Sequence, residues 1–315
     1  MRTVFSFVLL LPTLFVSAQR IEKFYDYNWE LSTPGSALYF SVSEKEGDLY
    51  HVTDYYIRQK TLQMDGYYSD SALDVEEGPF RYYYPGRNLK TKSFYKAGKL
   101  HGEYLGFHQN GMMSDSANYI NGKQVGAAFR WHQDGAISDS TNLLKDGSGG
   151  SVSWNPDGSP AAAGYYGAGQ KMRGKWQFFH ANGKLSSKER YEDGLLVDKQ
   201  YFNEQGEQET DTISTDRKAT FPGGMKAWVK YLSKHAHFPS GFQIVNSDAV
   251  VVVVTATIDE NGKIINVYLN APFHPSFDAI ALKAMRTAPN WLPAINHHRR
   301  IKTHINQPLT FLQEQ

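Results

Sequence analysis

The sequence predicts a mainly β chain, in which a sheet of antiparallel hairpin repeats with a 24-residue period precedes a small α+β unit of order α-β-β-α-β. Three observations lead to this prediction. Glycine recurs at intervals of 24 between residues 78 and 174. Aromatic residues alternate between those glycines, which places the rings on one face of a pleated strand. Beyond residue 220, two amphipathic helical patterns flank a long β-branched run.

Composition limits the classes of protein that the chain can represent. Its 315 residues are 41% hydrophobic and 21% charged, so it can bury at least one core and is not disordered overall. The net charge of +1 gives no general attraction for a nucleic-acid backbone, and no nucleic-acid partner is expected. The absence of cysteine excludes thiolate zinc sites, iron–sulfur clusters, cysteine nucleophiles and disulfides.

The first segment, residues 1–18, is predicted to be an export signal. A basic residue at position 2 precedes an apolar run, and Val16-Ser17-Ala18 offers small residues at the positions that a signal peptidase inspects. Cleavage after Ala18 would leave the mature chain in the periplasm or outside the cell. The alternative is an uncleaved anchor in the inner membrane, with the chain facing the periplasm. Residues 19–76 carry many aromatics without a clean period, and are predicted to form an aromatic-rich N-terminal cap or leading strands.

Residues 77–206 are predicted to form the repeat sheet, because three glycine series coincide there. One series follows an aromatic by four residues, and another follows Tyr or Leu by three. Dipeptides such as Asn110-Gly111 and Asp134-Gly135 favour positive φ at both central residues of a tight hairpin turn. The series are Gly78, Gly102, Gly126, Gly150 and Gly174; Gly86, Gly111, Gly135, Gly158, Gly183 and Gly206; and Gly98, Gly122, Gly147, Gly169 and Gly194. This pattern resembles MORN-type repeats, more closely the YwqK-like variety, and the resemblance implies scaffolding and protein contacts.

The polar residues 207–220 are predicted to be a linker, and residues 221–315 a separate α+β domain. Met225, Trp228, Val229 and Leu232 have helical spacing, and we expect them to face inward. The following elements are expected to be a strand over 249–258, a strand over 263–269, a helix over 275–288 and a last strand over 300–311.

These elements and their motifs resemble the C-terminal domain of TonB, the energy transducer of Gram-negative envelopes. The motifs are Phe221-Pro222-Gly223-Gly224, Phe238-Pro239, Asp259-x-Asn261-Gly262-Lys263-Ile264, His274-Pro275-x-Phe277-Asp278, Pro289-Asn290-Trp291-x-Pro293-Ala294 and Asn306-Gln307-Pro308-Leu309-Thr310-Phe311. The resemblance covers about residues 221–312. It implies that the domain takes up a short segment of an outer-membrane receptor as an added strand along an exposed sheet edge.

The edge expected to serve this purpose consists of Arg300, Ile301, Lys302, Thr303, His304, Ile305 and Asn306. Residues 218–315 contain 10 Lys and Arg against 5 Asp and Glu, whereas residues 19–217 contain 22 against 27. The second domain should therefore attract an acidic peptide. The alternative interpretation of the same segment is an ordinary sheet edge protected by its charges.

The function predicted from these features is a non-enzymatic envelope interaction module whose partner is a receptor or envelope-protein segment. One alternative is a membrane-anchored transducer of the TonB type, although a repeat sheet here replaces the usual Pro-rich spacer. A second alternative is a glycan-binding scaffold that uses the repeat aromatics, which are more simply explained as core. No catalytic set shares a motif, and the pairs His235/His237 and His297/His298 lack the companions of a metal site, so no catalytic residue, metal or cofactor is predicted.

Overall fold

The computed structural model describes residues 20–313 except 212 and 246, so the predicted export signal at 1–18 lies outside the described residues. The chain is mainly antiparallel β, as predicted. Its first sixteen strands are β1 (Arg20–Tyr25), β2 (Tyr39–Glu46), β3 (Leu49–Tyr56), β4 (Thr61–Tyr68), β5 (Gly78–Tyr83), β6 (Leu89–Lys96), β7 (Lys99–Leu100), β8 (Gly102–Phe107), β9 (Met113–Ile120), β10 (Lys123–Trp131), β11 (Ile137–Leu143), β12 (Gly149–Trp154), β13 (Pro160–Gly167), β14 (Lys171–Phe179), β15 (Leu185–Glu192) and β16 (Leu195–Tyr201).

These strands form one long antiparallel sheet in sequence order, with β7 paired only to β6. The predicted N-terminal cap contributes β1 to β4 to this same sheet. Each hairpin therefore buries its apolar face only with the help of its neighbours, as expected for a stacked repeat.

Two kinds of turn connect the strands. Asn121-Gly122 and Asp193-Gly194 have positive φ at both residues, which is the two-residue hairpin turn expected of Asn-Gly and Asp-Gly. The prediction of the same turn at Asn110-Gly111 and Asp134-Gly135 is wrong, because only the glycine of each pair has positive φ. Instead the N–H of Gly111 donates to the carbonyl of His108, and the Asn110 side chain accepts the N–H of Met112 at 3.1 Å. The side chain closes the turn locally, so Asn110 keeps an ordinary φ.

Histidines in these longer turns tie each repeat to the next. The Nε2 atoms of His108, His132 and His180 donate to the carbonyls of Trp131, Trp154 and Phe202 at 2.8–3.0 Å. Each bond satisfies a carbonyl one repeat further along the chain, so the row of turns is held in register along one side of the sheet.

The inner face of the long sheet, defined here as the face that contacts residues 221–313, is filled by rings packed over glycines. A Cβ on Gly66 would come within 3.0 Å of the Phe80 ring, and one on Gly164 within 3.0 Å of the Trp176 ring. Phe80 and Trp176 are 0% and 3% exposed. The rings occupy the space that a side chain would need, so these glycines are required by close packing.

Residues 221–313 form the C-terminal unit, which has two helices and five strands. These are α1 (Gly224–His235), β17 (Ala249–Ile258), β18 (Ile264–Ala271), α2 (Pro275–Arg286), β19 (Ala294–Asn296), β20 (Arg299–Ile301) and β21 (Thr303–Leu312). The main sheet has the order β18-β17-β21, and α2 packs on β17 and β18. Alternate residues of β17, together with Phe277, Ala281 and Trp228, form its core.

Two predictions about this unit are wrong in detail. Met225 and Val229 were expected to face inward, but they are 70% and 58% exposed, and Trp228 alone is buried on α1. The last strand was expected to begin at Arg300, but it begins at Thr303, because residues 299–301 pair with residues 294–296 as a separate hairpin.

The long sheet and the C-terminal unit are packed against each other. Leu38, Tyr39 and Tyr56 belong to the same core cluster as β17 and α2, and the Tyr84 ring packs edge-on to Tyr268 of β18 at 6.1 Å. The predicted linker is partly ordered by this contact, since Arg217 and Thr220 exchange backbone hydrogen bonds with Ile295 and Leu292.

Candidate functional site: the free edge of β21

The outer side of β21 carries backbone groups that no neighbouring strand uses. In an antiparallel ladder, pairs that exchange hydrogen bonds alternate with pairs that do not. The N–H of Gln313 donates to the carbonyl of Asp248 at 2.9 Å, and this pair continues the register of β17 and β21. The groups of Phe311, Leu309, Gln307, Ile305 and Thr303 therefore bond to β17.

The intervening residues present their backbone groups to the free side. His304, Asn306, Thr310 and Leu312 direct their N–H groups outward, and Pro308 occupies the fifth outward position without an N–H to offer. All five residues are exposed. Within the part of the chain that the structure describes, no strand pairs with this side of β21. The edge can therefore accept an extended chain.

Helix α1 overhangs this edge. Trp228 donates from Nε1 to Oε1 of Gln307 at 2.8 Å, which places α1 above β21. Tyr231 donates from its hydroxyl to the carbonyl of Ala284 at 3.0 Å, which places α2 on the opposite side of α1. At 100° per residue, Met225 and Val229 lie on the side of α1 away from α2, and so beside the free edge.

The same helix carries an unpaired basic row that the sequence analysis did not single out. Lys226, Lys230 and Lys234 are exposed, and none of them forms an ion pair with any residue described by the structure. Their i, i+4, i+8 spacing on a predicted helix was a signal that could have found them.

The predicted edge residues divide into two groups. Thr303, His304, Ile305 and Asn306 lie at the start of β21, whereas Arg300 and Ile301 belong to β20 and Lys302 lies between the two strands. Arg300 pairs with Glu204 in the turn after β16, and Nζ of Lys302 lies 3.9 Å from Glu260. The basic residues expected to attract a peptide are thus engaged within the chain.

The tip of the β19–β20 hairpin is docked on the last repeats. His297 stacks on Phe178 with ring centroids 3.6 Å apart, and His298 stacks on Tyr201 at 4.4 Å. Nδ1 of His297 lies 2.9 Å from Oε2 of Glu189. Burial alone would raise the pKa of Glu189, but hydrogen bonds from His297, Tyr191 and Ser187 outweigh it and hold that pKa below its ordinary value.

Arg299 completes this contact. Its guanidinium donates to the carbonyls of Ala161 and Phe179 and lies over the Phe178 ring, while burial lowers its pKa. The start of β21 is thus anchored, through residues 297–299, to the long sheet.

The described residues offer neither a metal site nor a membrane-spanning helix. No group of three or more His, Asp or Glu side chains there could hold a metal ion. Of the helices that the structure describes, neither has the length and apolar character needed to cross a bilayer.

Comparison with known proteins identifies the repeat. The model of a MORN repeat variant matches residues 172–193, which span β14, the turn after it and β15. The expectation of MORN-like repeats is confirmed over this unit. No curated protein matches the chain.

Proposed function

We propose that this chain is a non-enzymatic interaction module of the cell envelope, which captures an extended peptide by strand addition along β21 while the repeat sheet serves as its scaffold. The single observation that carries the proposal is the free edge, with four outward N–H groups and no neighbouring strand among the described residues. Main-chain hydrogen bonds along such an edge supply affinity.

The motifs that resemble the TonB C-terminal domain support the same function and suggest the partner, a segment of an outer-membrane receptor or another envelope protein. Under this proposal the mature protein resides in the periplasm, after removal of residues 1–18. The docking of the turn before β20 on the repeats supports a scaffold role for the long sheet, because it helps to position the edge.

Features beside the edge suggest the composition of the guest. Met225 and Val229 offer apolar contacts to alternate side chains of an added strand. The lysines of α1 lie on the side of the helix away from Trp228, so they add only a general positive charge to this end of the unit.

The test compares Thr310→Pro with Thr310→Ala. Proline removes the outward N–H and blocks the approach of a strand, whereas alanine keeps the N–H; neither change breaks a bond to β17. The probe is a fluorescein-labelled synthetic peptide of alternating valine and threonine with glutamate at each end, and binding to the full mature chain is measured by fluorescence anisotropy.

We expect Thr310→Pro to weaken binding by about tenfold or more, since one backbone hydrogen bond contributes about 1 kcal/mol and the ring adds steric exclusion. Thr310→Ala should bind as the wild type does. Equal binding by the proline variant, with its thermal unfolding unchanged, would reject the edge as the site of capture.

A further inference from the structure

The inner face of the central repeats contains a polar cavity of about 320 Å³, which plays no part in the proposed peptide capture. It lies on the face that docks the C-terminal unit, because its wall residue Tyr166 packs edge-on to Trp176, and Trp176 stacks with Phe178 beneath His297. The volume falls at the lower end of the range for small-molecule sites.

The cavity exists because two successive repeats lack the aromatic ring that the others place on the inner face. The inward-facing positions that correspond in successive repeats are Phe80, Tyr104, Ala128, Ser151 and Trp176. In the outer repeats Phe80 and Trp176 fill the inner face, but Ala128 is a buried methyl group in the floor of the cavity. A missing aromatic side chain in an otherwise packed layer leaves space of this kind.

Charged and amide side chains line the cavity in hydrogen-bonding positions. Nε of Arg130 lies 3.3 Å from Oδ1 of Asp115, and Gln124 donates from Nε2 to the hydroxyl of Thr141 at 3.0 Å. Asp139 lies in the wall beside them, and burial raises its pKa against the opposing influence of Ser138 and Arg130.

Three tyrosines complete the lining of the cavity. Tyr104 and Tyr119 pack edge-on at 6.1 Å, and Tyr166 lies across the cavity. The Tyr166 hydroxyl hydrogen-bonds with Ser151, which also lines the cavity, whereas the structure gives no hydrogen bond among the described residues for the hydroxyls of Tyr104 and Tyr119. These two hydroxyls can therefore both donate to and accept from a ligand.

We propose that this cavity binds a single sugar ring. A sugar ring carries neighbouring hydroxyls that both donate and accept, and planar carboxylate, guanidinium and amide groups can bind such hydroxyls in pairs. Its C–H face is apolar and packs on aromatic rings, which Tyr104, Tyr119 and Tyr166 provide. The lining contains two carboxylates, Asp115 and Asp139, and one guanidinium, Arg130, so its net charge is negative. The cavity therefore favours a neutral sugar over an acidic one.

The experiment fills the cavity with the ring that the repeat lacks. Ala128→Phe restores the residue found at position 80, and Ala127→Phe adds the same ring at the neighbouring, exposed position of β10 as the matched control. The probes are glucose, N-acetylglucosamine and the amine spermidine. Binding to the full mature chain is detected by saturation-transfer NMR and quantified by calorimetry.

We expect one of the sugars to bind the wild type and the Ala127→Phe variant with a Kd of about 1 mM, and Ala128→Phe to lose that binding while its unfolding temperature holds or rises. Asp139→Asn should weaken the sugar by about tenfold, through loss of a charged acceptor. Binding of neither sugar, binding of spermidine alone, or sugar binding that survives Ala128→Phe would each overturn the proposal. The edge variant Thr310→Pro should bind the sugar as the wild type does, so the sugar-binding proposal and the peptide-binding proposal are tested independently.

Discussion

Asp54 is a carboxyl buried on the inner face of β3, where burial raises its pKa from 3.8 to about 6. Its Oδ1 atom has no hydrogen-bond partner among the described residues. Asp278 of α2 shows the same rise, to about 6, although the N–H of Phe273 donates to it at 2.9 Å. Both residues therefore bind protons more readily in the folded state than in the unfolded chain.

The first consequence is a dependence of stability on pH. Between about pH 4 and 6 the folded state binds more protons than the unfolded state, so the free energy of unfolding should fall as the pH rises through this window and level off above it. Urea unfolding midpoints measured from pH 4 to 7 test this. A midpoint that rises steadily with pH across the window would contradict it.

Asp54→Asn isolates the contribution of one residue. The amide is nearly the same shape and carries no charge, so at pH 7 it should raise the free energy of unfolding by up to roughly 3 kcal/mol, the equivalent of the rise from 3.8 to about 6. Asp48→Asn, at an exposed turn, is the control and should leave stability unchanged within about 0.5 kcal/mol.

At the scale of the strand, the packing of Trp176 over Gly164 joins β13 to β14. The ring lies over the glycine, and its Nε1 donates to the carbonyl of Tyr165 at 3.0 Å. A methyl group on Gly164 would force the indole out of this position, which costs both packing and the hydrogen bond.

Gly164→Ala should therefore lower the free energy of unfolding by about 1–3 kcal/mol, measured by urea denaturation. Gly150→Ala is a matched control on the adjacent β12, because a Cβ there would meet no atom within 4 Å and the backbone needs no positive φ. Similar losses for both variants would show that chain entropy, and not the ring, determines the effect.

The strands that repeat were predictable from sequence because each obeys the same spacing of glycine and aromatic residues. The turn at Asn110 was not, since Asn-Gly suits two turn types and the hydrogen bond from Met112 to the Asn110 side chain decides between them. The start of β21 was missed for a different reason. Residues 299–301 have the composition of a strand, and only the partners Ala161, Phe179 and Glu204, each about 100 residues or more away, reveal that they form another hairpin.

The candidate site was also only partly predictable, because some of its features depend on local sequence and others on contacts between residues far apart in the chain. The predicted edge, residues 300–306, includes only two of the four outward donors, His304 and Asn306, and it omits Thr310 and Leu312. Which charges remain available beside it depends on contacts with Glu204 and Glu260, which a single sequence does not specify.

At the scale of the whole molecule, the docked hairpin couples the repeats to the C-terminal unit. His297 and His298 both have positive φ, a conformation that side chains of this size rarely adopt, and stacking on Phe178 and Tyr201 compensates for the strain. The carbonyl of His297 also accepts the hydroxyl of Ser186 at 3.1 Å.

We expect the double variant His297→Ala/His298→Ala to separate the thermal unfolding of the two parts into distinct calorimetric transitions, whereas the wild type unfolds in one. His237→Ala, exposed beyond the end of α1, should leave a single transition. A single transition of unchanged midpoint in the double variant would mean that the contacts of Tyr56 and Tyr84 suffice to hold the parts together.

Pro308 hinders self-association of the protein through the free edge of β21. It divides the row of donors into one pair at residues 304 and 306 and another at 310 and 312, and its carbonyl is already occupied by the Gln307 amide at 2.6 Å. A continuous intermolecular sheet therefore cannot extend along this strand, and fibres built from copies of the chain are disfavoured. A short peptide that spans Pro308 can still bind.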